Sequence, residues 1–358
     1  MSVADASSLQ RAREIVLAHG WNATAYQILN PGIALWFAAA GDAVAGYVLR
    51  HRVRVVAGAP VCARERLAAV AAELERDAAA RGERVCYFGA ESRLEELSAR
   101  SPTHSMVLLG AQPVWHPARW EARTRVRASL RAQLNRARNK GVTVAEWAPS
   151  RAMGDPRLRR VLREWLATRG LPPLHFLVEP ETLARLEDRR IFVAERGGEP
   201  IGFVVVSPVP RREGWLVEQF VRGHGAVNGT TELMIDAAVR ALAASGASYV
   251  TLGLSPLSAR AGVPASPGPL WLRLLLKWVR AHGRRFYNFD GLDAFKAKFR
   301  PEAWEGVYAI ASEPSFSPRT LYATAAAFTG RSPVAAVAIA AVRAALQEAR
   351  WMARRLRR

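Results

Sequence analysis

Two lysines, Lys296 and Lys298, lie in a short segment that also holds aromatic and acidic side chains. Only four of the 51 cationic residues are lysine, so the pair is distinct from an arginine-rich background. A lysine ammonium binds a phosphate, or stabilises the negative charge that develops on an acyl oxygen. Asp290 precedes the pair and can bind an amino group or accept a proton. This segment predicts catalysis by Lys296, Lys298 and Asp290, and the alternative is a solvated loop with buried aromatic side chains.

A second candidate site is the junction between a predicted strand, residues 214–222, and a predicted helix, residues 230–244. Glu218 lies on that strand, where it can act as a catalytic base or pair with an arginine. The free N–H groups of the helix N-terminus can bind an anion. Asn228 or Thr230 can instead cap the helix without any ligand. The candidate substrate-binding residues here are Arg222, Asn228, Gly229 and Thr230.

A serine-containing turn follows a further predicted strand, residues 249–253. Ser255 and Ser258 lie in this turn, at a position where ligand-contacting loops often occur. Serines are also common in turns that bind nothing. Tyr287 and Asp293, close to the lysine pair, complete the candidate substrate-binding residues.

Hydrophobic periodicity divides the chain into two halves with the same order of elements. The first half has predicted strands at 33–37, 43–50 and 53–58, then a helix at 63–80 and a strand at 84–88. The second has strands at 190–195, 199–207 and 214–222, then the helix at 230–244 and the strand at 249–253. A helix is also predicted at 180–186. The repeated order predicts a mixed α/β fold with a duplicated domain.

Residues 119–140 form a predicted basic helix with a narrow apolar seam, and Gly141 ends it. The cationic side chains on the remaining faces predict an anionic partner. The candidate contacts are Arg123, Arg127, Arg131, Arg138 and Lys140. The end of the chain, residues 331–358, is a second predicted basic helix with an apolar stripe and Trp351. That pattern fits a helix on an anionic membrane, or an ordinary packed helix with a solvated end.

The composition is that of a folded protein with an anionic partner. The 358 residues carry a net charge of +20 and are 50% hydrophobic, which excludes a disordered basic tail. Nucleic acid, an anionic membrane or an acidic small molecule would match this charge, and drift toward arginine is the alternative. Two cysteines are too few for a disulfide framework or a cysteine-based zinc site, and no metal is expected. Without a signal-peptide pattern or an apolar run of spanning length, the chain is expected in the cytoplasm.

The order of strand, glycine-containing loop and helix at residues 214–244 is that of GNAT-type acyltransferases. Their coenzyme A loop needs an arginine or glutamine followed by glycines at defined spacing. Arg222-Gly223-His224-Gly225 matches that loop only in part. The loop therefore gives no support to a coenzyme A donor.

The sequence resembles the cytoplasmic domain of lysyl-phosphatidylglycerol synthases, of the multiple peptide resistance factor type. Two of the segments that carry the resemblance are Leu252-Gly253-Leu254-Ser255-Pro256-Leu257-Ser258 and Phe295-Lys296-Ala297-Lys298-Phe299. The others, in chain order, are residues 129–131, 135–141, 176–183, 188–190, 202–208, 228–230, 287–289, 291–292, 301 and 304. Together they cover roughly residues 10–315. Ala59 departs from the family pattern, which often has an acid there, and Val227 replaces the usual proline.

The resemblance implies two GNAT-like folds in tandem, a mixed α/β architecture. We expect an N-terminal domain at 1–140 that ends in the basic helix, a catalytic domain at 141–318 and a basic tail at 319–358. The implied reaction transfers an amino acid, lysine or another cationic residue, from aminoacyl-tRNA to a hydroxyl of phosphatidylglycerol or a related lipid. It needs no cofactor, and its product is a less anionic lipid that gives resistance to cationic peptides.

The resemblance also implies binding partners and a cellular location. Aminoacyl-tRNA is expected at the basic helix, and an anionic lipid at the inner face of the membrane, to which the chain would bind peripherally. A separate membrane flippase is left open as a partner, because full-length family members carry a flippase region. Two alternatives remain: a coenzyme-A-dependent N-acyltransferase of the same fold, and a non-catalytic basic module that binds RNA or membrane.

Overall fold

A computed structural model describes residues 5–169, 174–262, 269–282, 288–330, 332, 333 and 335. Tyr287 and the greater part of the predicted basic tail lie outside these residues. The first half of the described chain alternates helices with strands. Its elements are α1 (Ala6–His19), β1 (Ala34–Phe37), β2 (Val44–Arg50), β3 (Val53–Ala57), α2 (Leu67–Ala80), β4 (Arg84–Ala90), α3 (Ser92–Ser98) and β5 (Ser105–Trp115).

The second half continues in the same way, with helices before, within and after a strand meander. Its elements are α4 (Trp120–Arg125), α5 (Ala128–Asn139), β6 (Val142–Trp147), α6 (Pro149–Gly154), α7 (Pro156–Ala167), β7 (Arg190–Arg196), β8 (Glu199–Val209), β9 (Gly214–Arg222), α8 (Thr230–Ala244), β10 (Tyr249–Thr251), β11 (Ser255–Pro256), α9 (Leu270–His282), α10 (Phe289–Ala297), β12 (Ala303–Ala311) and α11 (Pro318–Thr329).

One mixed sheet joins the two halves within the described residues. Its strand order is β1-β2-β3-β4-β12-β5-β10-β9-β8-β7-β6. The short strand β11 lies outside this order and pairs with β5. In each half an antiparallel meander leads through a helix to a parallel strand, since β3 pairs in parallel with β4, and β9 with β10. The predicted mixed α/β fold and its internal duplication are confirmed.

The strand β12 ties the end of the second half into the first half of the sheet. It follows α10 in the chain, yet it pairs antiparallel with both β4 and β5. The helix α11 then packs near β2 and β3. The residue bounds of the three expected domains stay predictions, and β12 shows that the two halves share one sheet.

Both faces of the sheet are covered, so its central strands are apolar throughout. Val204, Val205 and Val206 on β8 are all buried, although neighbouring side chains on a strand point to opposite faces. Val204 and Val206 pack with α5 and α8 side chains, whereas Val205 packs with α7. Continuous burial of this kind requires helices on both sides, which the duplicated domain supplies.

Two expectations about local structure are wrong, and so is one alternative. The segment predicted as a helix at 180–186 holds only a short 3-10 turn, Thr182–Ala184. The amide of Gln219 donates to the carbonyl oxygens of Glu179 and Pro180, and the Thr182 hydroxyl donates to Gln219 Oε1. These bonds to β9 compete with helical pairing.

The basic helix expected at 119–140 is two helices, because the chain breaks between α4 and α5 around Val126. Its apolar seam is confirmed, since Leu130, Leu134 and Ala137 are buried, and Gly141 follows the last turn with φ of 77°. The alternative of a solvated loop after residue 284 is also wrong for the described part, because residues 289–297 form α10 and residues 303–311 form β12.

Candidate active site

The helix α10 carries the lysine pair, and its N-terminus is fixed by a side-chain cap. Asn288 accepts a hydrogen bond from the Gly291 backbone N–H at 2.9 Å. Asp290 lies in the first turn, where a carboxylate interacts favourably with the helix dipole. This capping chemistry starts the helix at Phe289 and brings Lys296 and Lys298 to its C-terminal end.

Lys296 is buried, with only 2% of its surface exposed. Its Nζ donates to the carbonyl oxygens of Gly253 and Leu254, each at 2.8 Å. Gly253 has φ of 70°, a left-handed conformation that suits glycine and turns the chain out of β10. Burial lowers the pKa of Lys296 to about 7, although the carboxylate of Asp293 opposes the shift. The amine therefore titrates near neutral pH while two backbone carbonyls fix its position.

The position of α10 follows from a divergence of two parallel strands. β9 and β10 pair only between residues 214–216 and 249–251, and β9 then continues to Arg222 without β10 beside it. Phe295 contacts Phe220 on β9, with ring centroids 5.7 Å apart. Lys296 bonds to the loop that follows β10. α10 therefore bridges the two strands where they separate.

The serine-containing turn lies against α10, so the two segments can share one site. Ser258 Oγ donates to Asp293 Oδ1 at 2.6 Å, and Arg260 Nε donates to Asp293 Oδ2 at 2.6 Å. Ser255 is buried, and its hydroxyl has no hydrogen-bond partner among the described residues. A buried hydroxyl without a partner is uncommon in folded proteins. The structure thus brings Ser255, Ser258, Asp293 and Lys296 together.

Lys298 points elsewhere. Its Nζ lies 2.7 Å from Glu232 Oε1 on α8 and 2.9 Å from Gln133 Oε1 on α5. These contacts tie three helices together through one ammonium. The two lysines that the sequence pairs are therefore separated: Lys296 faces the turn after β10, and Lys298 faces α5 and α8. Catalysis by Lys298 stays a prediction, and its contacts are those of a structural ion pair.

Glu218 is buried in an ion pair with Arg189 of the same half, where the second half contacts the first. Its carboxylate accepts from Arg189 Nε at 2.9 Å and from Gln27 Nε2 at 3.2 Å, and the Ser207 hydroxyl also donates to it. Burial alone would raise its pKa, but the Arg189 charge and these hydrogen bonds lower the pKa of Glu218 below its usual value. The sequence left open a catalytic base or a partner for an arginine, and the geometry favours the ion pair with an arginine.

The N-terminus of α8 is closely packed. Gly229 is its N-cap with φ of 95°, and a Cβ there would lie 2.1 Å from the Gln133 carbonyl oxygen on α5. The expected side-chain cap is wrong: the Thr230 hydroxyl donates to the Val227 carbonyl oxygen, and Asn228 makes no capping bond. The glycine is needed because the backbone of α5 approaches it. Anion binding by these residues stays a prediction.

The roles predicted for two other candidates, Arg222 and Asp290, stay predictions. Arg222 is exposed at the end of β9, and Asp290 is half-buried on α10. Sequence reasoning missed the partners that position the lysines, namely the Gly253 and Leu254 carbonyls, Gln133 and Glu232. Backbone acceptors leave no sequence signal, and Gln133 lies 165 residues from Lys298.

The five candidate tRNA contacts in and beside α4 and α5 divide into two groups. Arg123 donates to the Arg300 carbonyl, and Arg138 pairs with Asp236 at 3.5 Å, so both are held by the second half. The remaining three are exposed, and their cationic groups form no ion pair within the described residues: Arg127, Arg131 and Lys140. Arg127 and Arg131 donate instead to Ser129 Oγ and to the Arg125 carbonyl oxygen. Together with Arg136, which is also exposed, these three are the cations of the segment without an acidic partner among the described residues. Among the described helices none is long and apolar enough to cross a bilayer.

Comparison with known proteins identifies the family. The sequence matches the family model described as phosphatidylglycerol lysyltransferase, C-terminal, over residues 13–311. A search of the curated proteins finds no match. A structure described as the C-terminal domain of a putative lysylphosphatidylglycerol synthetase from Agrobacterium fabrum is 22% identical, with a TM-score of 0.76, over 91% of this chain and 98% of that chain.

Two further structures share the fold. That of L-PGS from Bacillus licheniformis is 20% identical, with a TM-score of 0.72, over 93% of this chain and 95% of that chain. That of FemX is 10% identical, with a TM-score of 0.52, over 90% of this chain and 99% of that chain. Because the family model spans most of the sequence, the chain belongs to the phosphatidylglycerol lysyltransferase C-terminal family and is an aminoacyltransferase.

Proposed function

We propose that this protein transfers an aminoacyl group, lysine or another cationic residue, from aminoacyl-tRNA to a head-group hydroxyl of phosphatidylglycerol. Membership of the family supports the reaction class. The observation that carries the residue assignment is Lys296, a buried amine held by two carbonyls at the point where β9 and β10 separate.

The reaction is an exchange of esters. The acceptor hydroxyl oxygen attacks the ester carbonyl carbon, and the bond from that carbon to the tRNA ribose oxygen breaks. One proton moves from the acceptor hydroxyl to the departing ribose oxygen. Because the donor ester is already activated, the enzyme needs to align the two substrates and to carry this proton.

Lys296 has the properties of the proton carrier. A neutral amine has two N–H donors and one lone pair. Donation to Gly253 and Leu254 uses both N–H groups, so the lone pair is left for the acceptor hydroxyl. After protonation the third N–H occupies that direction and can return the proton to the ribose oxygen. A pKa of about 7 makes both forms accessible near neutral pH.

The turn after β10 supplies polar groups for the substrates. The Ser255 hydroxyl, buried without a partner among the described residues, is available to the acceptor or to the aminoacyl group. Asp293 is held by Ser258 and Arg260. The negative charge of Asp293 lies close enough to Lys296 to raise the pKa of that lysine. Asp293 also provides negative charge for a cationic amino acid. No cofactor takes part.

The partners follow from the charge distribution. Arg127, Arg131 and Lys140 would contact the tRNA phosphates, since exposed cations without acidic partners are suited to a polyanion. The lipid acceptor requires the protein to work at a membrane surface, and we place it peripherally at the cytoplasmic face. These assignments are independent of Lys296 and can fail separately.

Expression in a bacterial host rich in phosphatidylglycerol tests the proposal. Lipids are extracted and analysed by mass spectrometry, and we expect an added mass equal to one aminoacyl group on phosphatidylglycerol. The matched control is Lys296→Met in the same host, which should lack that lipid while accumulating as folded protein. Unchanged lipids in cells that contain folded wild-type protein would contradict the proposal.

A further inference from the structure

The helix α9 presents an apolar face away from the protein. Leu272, Leu275 and Leu276 point inward and pack on the core beneath β1–β3. Four large apolar side chains point outward, with between 37% and 66% of their surfaces exposed: Leu270, Trp271, Leu274 and Trp278. At 3.6 residues per turn these four positions span an arc of roughly 100° on the side opposite the packed leucines. The helix is thus apolar on two faces: the inner one packs on the described core, and the side chains of the outer one keep between 37% and 66% of their surfaces exposed.

Cations flank the outer face. Arg273 and Lys277 are exposed and lie one helical turn apart, between the outward apolar arc and the packed leucines. Neither forms an ion pair within the described residues. Tryptophan and leucine beside arginine and lysine are the composition of helices that lie in the interface of an anionic bilayer. An apolar partner protein would not require the cations.

The length of α9 fits an interfacial position. Its 13 residues rise about 20 Å at 1.5 Å per residue, less than the roughly 30 Å thickness of the hydrocarbon core. A helix of this length cannot span a bilayer, but it can lie in the plane of the surface with its apolar arc in the acyl region. The chain net charge of +20 adds attraction to an anionic leaflet.

We propose that the outer face of α9, formed by Leu270, Trp271, Leu274 and Trp278 with Arg273 and Lys277, docks the protein on an anionic lipid bilayer. This rests on the proposed function and deepens it, because a lipid acceptor must be reached at a membrane surface.

Vesicle sedimentation with purified full-length protein tests the surface directly. The probes are vesicles of phosphatidylcholine alone and vesicles with about 30% phosphatidylglycerol, an anionic surface of the kind that attracts basic segments. Wild type should bind the mixed vesicles more tightly, and Leu274→Gln with Trp278→Gln should weaken that binding at least tenfold. The control is Leu97→Gln with Val178→Gln, which changes exposed apolar residues elsewhere and should bind as wild type does.

The contribution of positive charge to vesicle binding is tested with two matched double variants. Arg273→Gln with Lys277→Gln should weaken binding by about fivefold per cation removed, and the loss should vanish at high salt. Arg76→Gln with Arg100→Gln removes the same charge from other exposed positions and should have little effect. Equal losses in both pairs would mean that net charge alone binds the vesicles, which would overturn the proposal.

Two other outcomes would also overturn it. If Trp351→Gln with Arg354→Gln and Arg355→Gln abolishes binding while the α9 variants bind normally, the basic tail is the docking element. If α9 variants change a dimer into a monomer by light scattering and leave vesicle binding intact, the outer face binds a second copy.

A parallel assay separates failure of docking from failure of the proposed function. Aminoacyl transfer to phosphatidylglycerol dispersed in detergent does not require a bilayer. The α9 variant should keep this activity while it loses transfer to vesicles. Absence of transfer by wild type in both forms would count against the proposed function, and the sedimentation result would still decide the docking surface.

Discussion

Lys296 is the residue on which the proposed chemistry depends. It is a buried amine whose hydrogen bonds within the described residues are to neutral carbonyls, so no acceptor of opposite charge compensates it directly. A buried lysine with a lowered pKa costs stability in its charged form, and such residues occur at functional sites. Burial and proton exchange at this amine can each be tested.

Substitution of Lys296 should separate activity from stability. We expect Lys296→Met to lower kcat by about 10²- to 10⁴-fold, the usual contribution of a general acid-base group. At pH 6 its melting temperature should equal or exceed that of wild type, because burial of a charged amine costs more than two hydrogen bonds return. Transfer assays and thermal melts on the same samples measure both quantities.

The matched variant is Lys298→Met. It leaves Glu232 without its ionic partner, so we expect the free energy of unfolding to fall by about 1–3 kcal/mol with a smaller loss of kcat. The assignment of roles would be reversed if Lys298→Met abolished transfer in a stable protein and Lys296→Met remained active.

The pH dependence tests the protonation state. If the neutral amine of Lys296 takes the hydroxyl proton, kcat/KM should rise with pH through about 7 and then level. The same lowered pKa affects stability, because between pH 7 and 10.5 the unfolded chain binds more protons at this residue than the folded chain does. The contribution of Lys296 to the free energy of unfolding therefore rises with pH across this range. A rate that falls with rising pH through this range would argue for the ammonium form as the reactive species.

At the level of elements, we propose that α5 and the residues at its two ends bind the donor. Arg127, Arg131 and Lys140 are exposed, whereas Arg123 and Arg138 are bonded to the second half. We expect Arg131→Gln with Lys140→Gln to weaken tRNA binding, and the slope of log K against log salt should fall by about 1 for each phosphate that the variant no longer neutralises.

Filter binding at several salt concentrations measures this slope. Arg76→Gln with Arg100→Gln is the control, since it removes two exposed cations from other parts of the surface. An equal change in both pairs would refute a localised surface.

The elements also show what could be predicted from the sequence. The meanders, α2 and α8 have clear periodicity, and their positions are confirmed within a few residues. The 3-10 turn at Thr182–Ala184 was mistaken for a helix because its competing partner, Gln219, lies far along the chain. α10 was missed because its aromatic, acidic and lysine residues have no dominant apolar stripe, and its N-terminus depends on the Asn288 cap.

The candidate site, like the elements, could be predicted from the sequence only in part. The sequence pointed to Lys296, Ser255, Ser258 and Asp293, and the structure places them together. It could not distinguish Lys296 from Lys298, because their environments are set by backbone carbonyls and by residues of other helices. Residue types and local spacing predict a site, but burial and partners, which decide pKa values, require the fold.

At the scale of the molecule, the ion pair of Glu218 and Arg189 joins the two halves. Arg189 also donates to Asn30, and Gln27 donates to Glu218, so both residues of the pair contact the first half. We expect Glu218→Gln to lower the free energy of unfolding by about 3–5 kcal/mol, because it leaves a buried guanidinium without its counter-ion.

Urea unfolding measures this loss against a matched control. Glu146→Gln breaks an exposed pair with Arg190 and should cost at most about 1 kcal/mol. Equal small losses in the two variants would contradict the role of the buried pair.

The same pair makes stability depend on pH. The pKa of Glu218 is lowered in the folded state, so near the ordinary glutamate pKa the unfolded chain binds more protons. The stabilisation that the Glu218 carboxylate contributes is therefore fully present above the ordinary glutamate pKa. It is lost as the pH falls through the lowered pKa of the folded state. Wild type should lose more stability than Glu218→Gln as the pH is lowered from neutral to strongly acidic, as followed by thermal melts.

Transfer from a labelled donor tests the proposed reaction most directly. Purified protein is mixed with tRNA carrying a radiolabelled amino acid, lysine first, and with vesicles that contain phosphatidylglycerol, and the lipid phase is extracted and counted. We predict label in the lipid phase with wild type and with Arg76→Gln plus Arg100→Gln, and none above background with Lys296→Met. Label that stays on tRNA for every amino acid tested, together with stabilisation of the protein by acetyl-coenzyme A, would contradict the proposed reaction.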